Sequence, residues 1–214
     1  PLRERYVMSL QTRFSNLANI LDETGQNDNV LVLMSPVLID SDWDRLKTAF
    51  GAQVADIDCC YPSGSGQDGL RAAIARIRDE AEQAVRAGRT ELFLTDETMG
   101  PDRIGLPMII AAAAVHTHLV RVGLRSYASV NVRSAECLDT HYFAVLIGVG
   151  ATTVHAYLAE ASIADRHARG LFDNRTLPQC LENFRTAINE GLLKIMSKMG
   201  LRSSPAIAAA IILR

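Results

Sequence analysis

The chain is poor in the residue types that mark several large classes of protein. Four of its 214 residues are cysteines, and none of them forms a CxxC pair, so neither a zinc finger nor a redox motif is indicated. Aromatic residues make up 6% of the sequence, and the net charge is −2. Because a nucleic-acid surface needs clustered positive charge or a platform of stacking rings, no nucleic-acid partner is expected.

Long apolar runs are also missing. No apolar stretch reaches the ~20 residues that span a bilayer, and the N-terminus has no basic-then-apolar leader. The sequence therefore predicts no membrane partner and a cytoplasmic location. The four thiols are interpreted as buried and reduced; they belong to Cys59, Cys60, Cys137 and Cys180.

Short β-type runs alternate with longer helical patterns along the chain. Strands are predicted at 29–36, 53–62, 91–96, 126–134 and the start of 152–160. Helices are predicted at 40–50, 70–88, 106–123, 140–151 and about 177–196. The run at 29–36 is continuously apolar, which is typical of a strand covered on both faces.

Successive βα units of this kind predict an α/β fold with a mainly parallel sheet and helices packed on it. The chain is too short for a complete eight-unit barrel of ~250 residues. We therefore expect either a partial barrel or an open wound sheet.

Two strand ends carry residues that could do chemistry. The loop "SGSG" (63–66) precedes a helix, where backbone amides can hold a phosphate, but it lacks both GxGxxG and GxxxxGK[ST]. A flexible connector is the alternative interpretation.

Asp96 and Glu97 follow a strand, where barrel enzymes place catalytic acids, although helix capping explains them as well. Without a GxSxG elbow or a Ser-His-Asp set, no catalytic residue is assigned.

The histidines show no metal-binding pattern. His116 and His118 stand two apart, which on a helix means opposed faces, and no carboxylate lies three or four residues after either one. His141 and His155 are isolated. Core or interface roles are predicted for these side chains, and no metal site is predicted.

Several longer stretches resemble one known family. They include "PLRERYVMSLQTRFSNLANILDE" (1–23), "HYFAVLIGVGATTVHAYLA" (141–159) and "GLLKIMSKMG" (191–200). In their order and near their spacing, they resemble the central domain of the glutamate synthase large subunit. The resemblance runs from Pro1 to Gly200.

This resemblance implies a multidomain parent enzyme that makes two glutamates from glutamine and 2-oxoglutarate. An N-terminal amidotransferase domain would release ammonia, and a synthase domain would hold FMN and a [3Fe-4S] cluster. A small reductase subunit or ferredoxin would supply electrons. The central domain would link the two reaction centres, help line the ammonia channel, hold no cofactor itself and be inactive alone. The alternatives are a free-standing βα enzyme for a small or phosphorylated ligand and a separate interaction subunit.

The resemblance also implies a division of the chain into segments with different roles. Residues 1–25 would be an extended lead-in, and 26–176 would be the βα central domain. Residues 177–200 would be a connecting helix and the start of a synthase-domain strand. In the intact parent, Met199 and Gly200 would mark the edge of the FMN site; core packing is the other interpretation of Met199.

The last segment, 201–214, departs from the family. After "SKMG" the family continues with Ile-Ser and then a Ser-Tyr-Arg-Gly-Gly segment, whereas this chain has "LRSSPAIAAAIILR". Codons can be chosen for the residues from Ser204 onward that read Ile-Ser-Ser-Tyr-Arg-Gly-Gly-Tyr-Asn-Phe-Glu in a shifted frame. The tail is therefore expected to be an out-of-frame translation.

Overall fold

The computed structural model describes residues 4, 7–15, 17 and 30–204. The strands in these residues are β1 Thr12–Phe14, β2 Leu31–Leu33, β3 Val37–Leu38, β4 Val54–Asp58, β5 Cys60–Pro62, β6 Glu91–Thr95, β7 Arg103–Gly105, β8 Ser129–Arg133 and β9 Thr153–His155. The helices are α1 Asp40–Phe50, α2 Gly66–Arg86, α3 Met108–Arg121, α4 Thr140–Gly148, α5 Tyr157–Ala168 and α6 Leu177–Met199. None of the described helices is both long enough and apolar enough to cross a bilayer.

Five strands form one parallel sheet in the order β3-β9-β8-β6-β4. From β4 to β9 the chain moves across the sheet one strand at a time, and a helix follows each of β4, β6 and β8. The step from β3 to β4 runs the opposite way, from one edge to the other. Parallel crossovers are right-handed, so this reversal puts α1 on the face opposite to α2, α3 and α4. The α/β class and the mainly parallel sheet are confirmed, and the strand order is that of an open wound sheet.

The two faces of the sheet are packed differently. Leu92 and Leu94 of β6 point into the large cluster that contains the apolar residues of α2, α3, α4 and α6. Phe93, between them, packs on the other face against Trp43 of α1. Its ring lies 4.5 Å from the indole, nearly perpendicular to it. The alternation of side chains along a strand thus sends neighbouring residues into separate cores.

Two predicted strands are corrected by the structure. The run 29–36 was expected to be covered on both faces, but β2 pairs only with β1, antiparallel, and two of its three residues are exposed. The sheet strand is the following β3, which is buried. The predicted strand 53–62 is two strands, because β4 joins the main sheet while β5 pairs with β7.

The segment 177–200 is also corrected in part. Its helix is confirmed: α6 begins with a capping box between Thr176 and Gln179 and ends at Gly200, whose φ is +71°. No strand begins within the segment, since the residues up to Met199 are helical. The first strand-like contact is a parallel bridge between Ser203 and Ser9. The boundary at 25/26 and residues 205–214 lie outside the described residues, and the domain division stays a prediction.

Candidate functional site

The carboxyl ends of the parallel strands carry a group of charged residues, here called the carboxyl-edge cluster. Its members are Asp40, Glu97, Arg133, His155 and Glu160. Arg133, the last residue of β8, places Nη2 3.1 Å from Asp40 Oδ1 and 3.0 Å from Glu97 Oε1. Its guanidinium also lies over the rings of Trp43 and Tyr157. One cation thus joins residues that follow three different strands.

His155, which is isolated in the sequence and was predicted to have a core or interface role, is completely buried, but it lies beside two carboxylates. Its Nε2 atom lies 3.3 Å from Asp40 Oδ1 and 3.1 Å from Glu160 Oε1. Asp40 comes shortly after β3, His155 ends β9, and Glu160 lies in the first turn of α5. The strand-end rule that selected Asp96 and Glu97 also applies to Asp40 and His155. What the sequence did not reveal is that β3 and β9 are neighbours.

Asp96 is not available to a substrate in this structure. Its side chain is 1% exposed, and the amide of Ala135 donates to both carboxylate oxygens at 3.1 and 3.0 Å. Burial raises the pKa of Asp96. The residue holds the loop after β8 against the end of β6. Glu97, by contrast, is exposed and forms the ion pair with Arg133.

The serine hydroxyl groups of the "SGSG" loop donate hydrogen bonds to backbone carbonyls of the chain. Ser63 Oγ donates to the carbonyl of Pro101, and Ser65 Oγ donates to that of Pro62 at 2.6 Å. Gly64 and Gly66 have φ values of +80° and +59°, which favour glycine. These contacts favour the connector interpretation over phosphate binding.

The paired histidines of α3 have separate partners. His116 Nδ1 accepts from Arg125 Nε at 2.9 Å, whereas His118 Nε2 lies 2.6 Å from Glu82. Burial, and then the nearby Arg125 charge, lowers the pKa of His116 to about 4. His116 is therefore neutral at pH 7.

A cavity of about 830 Å³ lies at the opposite, amino end of the sheet. This amino-edge cavity is lined by Thr12, Ser15, Ser126, Ser129, Arg125 and Thr152, among others. The incoming backbone at Ser9 and the outgoing backbone at 202–204 run side by side at its margin. Ser9 N donates to Arg202 O at 2.9 Å, and Ser204 N donates to Ser9 O at 3.1 Å. Two stretches that are far apart in the sequence therefore meet at one place.

A line of buried polar residues crosses the sheet on the α1 face. Thr153 Oγ1 donates to Asn131 Oδ1 at 2.7 Å, and Asn131 Nδ2 donates to Glu91 Oε2 at 3.2 Å. All three residues are completely buried. Burial raises the pKa of Glu91 to about 8, although hydrogen bonds from Asn131, Ser15 and Thr90 act in the opposite direction. At pH 7 the Glu91 carboxyl is mainly protonated.

The cysteines of the chain bear on the iron–sulfur cluster expected of the parent enzyme. All four cysteines are buried and free, as predicted, and burial raises the pKa of the Cys59 and Cys137 thiols. Among the described residues, the one group with metal-ligand spacing contains no cysteine, so they do not fit a cysteine-ligated cluster.

The predicted FMN edge lies at the end of α6. Met199 is 48% exposed, so the core-packing interpretation of this residue is wrong. Gly200 follows at the negative end of the helix dipole, which disfavours a flavin phosphate. The assignment of these two residues to the FMN edge stays a prediction.

The comparisons with known proteins agree with the pattern of motifs. The family described as "Glutamate synthase central domain" matches residues 1–212. Over 200 residues the chain is 56% identical to "Glutamate synthase [NADPH] large chain" of Azospirillum brasilense, covering 94% of this chain and 13% of that protein. It is 34% identical over 212 residues to "Glutamate synthase [NADH]" of Saccharomyces cerevisiae, covering 94% of this chain and 10% of the relative. It is 35% identical over 213 residues to "Ferredoxin-dependent glutamate synthase, chloroplastic" of Spinacia oleracea, covering 94% of this chain and 13% of that protein.

Proposed function

Because the chain belongs to the glutamate synthase central domain family, we propose that it links an amidotransferase domain to an FMN synthase domain and lines part of the ammonia route between them. The parent enzyme would make glutamate from glutamine and 2-oxoglutarate. FMN and a [3Fe-4S] cluster would be held elsewhere in that polypeptide. The chain spans 10–13% of the length of these three relatives, which leaves room for both reaction centres.

The observation that carries this proposal is the pairing of the backbone at Ser9 with residues 202–204 beside the amino-edge cavity. Backbone hydrogen bonds join Ser9 to residues 202 and 204, so domains attached before and after this one would both start at the cavity margin. Hydroxyl groups of Thr12, Ser126 and Ser129 line the space. Neutral hydroxyls can hydrogen-bond to ammonia without protonating it, which a passage for ammonia requires.

The electron donor would be selected outside this domain. The matched relatives are named for NADPH, NADH and ferredoxin, yet each aligns with 94% of this chain. The parent would therefore work with a small reductase subunit or with ferredoxin, and the domain fits either case. Four buried free thiols suit a reducing compartment such as the cytoplasm.

A coupling measurement tests the channel role. The chain would replace the equivalent domain in the Azospirillum brasilense large chain, with Ser126→Trp to fill the amino-edge cavity. We expect glutamine hydrolysis to continue while free ammonia accumulates and donor oxidation falls. Ala113→Trp is the matched control, since Ala113 lines a different groove, of about 320 Å³, between α2 and α3. Full coupling in Ser126→Trp would contradict the channel role.

A second measurement tests the role of the isolated chain. We expect the purified chain to show no glutaminase activity, no flavin colour and no flavin-dependent turnover. Turnover of a substrate by the chain alone would instead support the free-standing enzyme. Copurification with separately encoded amidotransferase and synthase chains would support the interaction subunit.

A further inference from the structure

One place in the sheet has the topology of a ligand site. Strands β3 and β9 are neighbours, with Leu38 opposite His155. The helix after β3 lies on one face, whereas α6, which follows β9 by way of α5, packs with α4 on the other. Adjacent parallel strands whose chains depart to opposite faces leave a crevice at their carboxyl ends, and α/β proteins bind ligands there.

Three side chains converge at this crevice. His155 Nε2, Asp40 Oδ1 and Glu160 Oε1 lie within 4.8 Å of one another, and the nitrogen lies 3.3 and 3.1 Å from the two oxygens. Ligands at about 2.0–2.1 Å from a tetrahedral zinc ion are separated by roughly 3.3 Å. The two nitrogen–oxygen distances therefore equal those around one small metal ion.

Asp40 Oδ1 already accepts a hydrogen bond from Arg133 Nη2 at 3.1 Å, but the convergent atoms of His155 and Glu160 have no such partner in the part of the chain that the structure describes. His155 is 0% exposed and Glu160 is 3% exposed, but neither ring nitrogen of His155 nor Glu160 Oε1 has a hydrogen-bond partner among the described residues. The short distances join atoms that are not aligned for hydrogen bonding. Leaving each such group buried and unpaired costs roughly 1–3 kcal/mol, and a cation between them would satisfy Nε2 and Oε1 together.

Neighbouring groups orient the proposed ligands, and the carboxylates around them outnumber the cations. The amide of Asp40 donates to Glu160 Oε2 at 3.1 Å, which orients that carboxylate, and the indole of Trp43 packs against the His155 ring. Asp40, Glu97 and Glu160 supply three negative charges against the single positive charge of Arg133. A divalent ion neutralises the two that remain.

We propose that Asp40, His155 and Glu160 bind one divalent transition-metal ion of the zinc type. The imidazole ligand favours zinc over calcium or magnesium. Asp40 is 56% exposed on its side chain, so an ion can enter from solvent and keep a water as its fourth ligand. The site would fasten β3, which pairs with β9 through only two residues, to the start of α5.

Zinc alone is the probe. The EDTA-treated, purified chain is titrated with Zn²⁺ by calorimetry, and its thermal unfolding is followed with and without the ion. We expect one Zn²⁺ per chain, a higher unfolding midpoint, and a visible absorption band when Co²⁺ replaces Zn²⁺. Binding should weaken at least about tenfold in Asp40→Asn and in Glu160→Gln.

The controls separate ligation from general attraction. Glu97→Gln removes a neighbouring charge but no ligand, so its affinity should stay within about threefold of the original chain. Circular dichroism of the metal-free variants establishes that they fold, and Asp40, being exposed, is the substitution least able to disturb the core. The proposal is overturned if the original chain shows no saturable binding. It is also overturned if Glu97→Gln loses as much affinity as the two ligand variants.

Discussion

At the scale of single residues, Glu91 makes the stability of the core depend on pH. It is completely buried, and burial raises its pKa from 4.5 to about 8. The folded chain therefore binds a proton that the unfolded chain releases above about pH 4.5. Between that value and about 8, the free energy of unfolding should fall by as much as about 1.4 kcal/mol per pH unit.

Glu91→Gln tests this contribution. Glutamine can still accept the hydrogen bond from Asn131 but does not titrate, so the unfolding midpoint of the variant should depend less on pH between 5 and 8. Chemical denaturation at several pH values measures the difference between the two proteins. Parallel stability curves for the two proteins would show that Glu91 is already ionised in the folded state.

A second prediction at the scale of single residues concerns Gly150, which lies against the ring of His116. Its φ is +110°, and a Cβ there would lie 2.2 Å from Cγ and Nδ1 of His116. Gly150→Ala should therefore cost roughly 1–3 kcal/mol for the backbone and roughly 1–3 kcal/mol more for overpacking, because His116 must move away from Arg125. Gly88→Ala is the control, since Gly88 also has a positive φ but no atom lies within 4 Å of its added Cβ. Equal losses in the two variants would exclude the clash.

At the scale of elements, local patterns predicted the helices better than the strands. The periodic stripe and closing Gly88 located α2, because both depend on residues close in sequence. The strand expected at 29–36 failed because its residues Leu31–Leu33 pair with β1 instead of joining the sheet. Whether an apolar run lies in the core depends on which strand it pairs with, and that partner can be anywhere in the chain.

The N-terminus of α6 gives the element-scale prediction. Thr176 Oγ1 accepts from the amide of Gln179, and the Gln179 side chain accepts from the amide of Thr176. Thr176→Ala removes one half of this capping box and should destabilise the chain by about 1 kcal/mol. Ser162→Ala, in the exposed middle of α5, is the control and should change the unfolding midpoint little. Similar values for both would mean that the cap contributes nothing.

At the scale of the whole molecule, composition and alternation predicted the α/β class but left the strand order open. The order follows from the pairing of β3 with β9, a contact between residues more than 110 positions apart. The same pairing brings Asp40 to His155. Nothing local to either residue marks that contact, so the candidate metal site could not be predicted from the sequence.

The two ends of the chain should contribute very differently to stability. The segment expected to be only a lead-in carries Phe14, which is completely buried in the core with Trp43 and Phe93, and the amide of Ser15 donates to Ser129 Oγ at 2.8 Å. Deleting residues 1–15 should therefore destabilise the chain by at least the roughly 3–5 kcal/mol of a lost core phenylalanine. An unchanged unfolding midpoint would mean that this segment is a separate lead-in after all.

Deleting residues 205–214 is the matched test at the other end. If that tail is translated out of frame, selection has never shaped it to pack, so its removal should leave the midpoint unchanged and reduce any aggregation caused by its apolar residues. Residues 201–204 belong to the same tail but are kept, because Ser204 is buried and its hydroxyl donates to the carbonyls of Leu10 and Gln11. A large loss of stability on removing the tail would show that it packs on the domain. Sequencing the underlying DNA provides the independent check, since an intact frame through these codons in several clones would refute the frameshift.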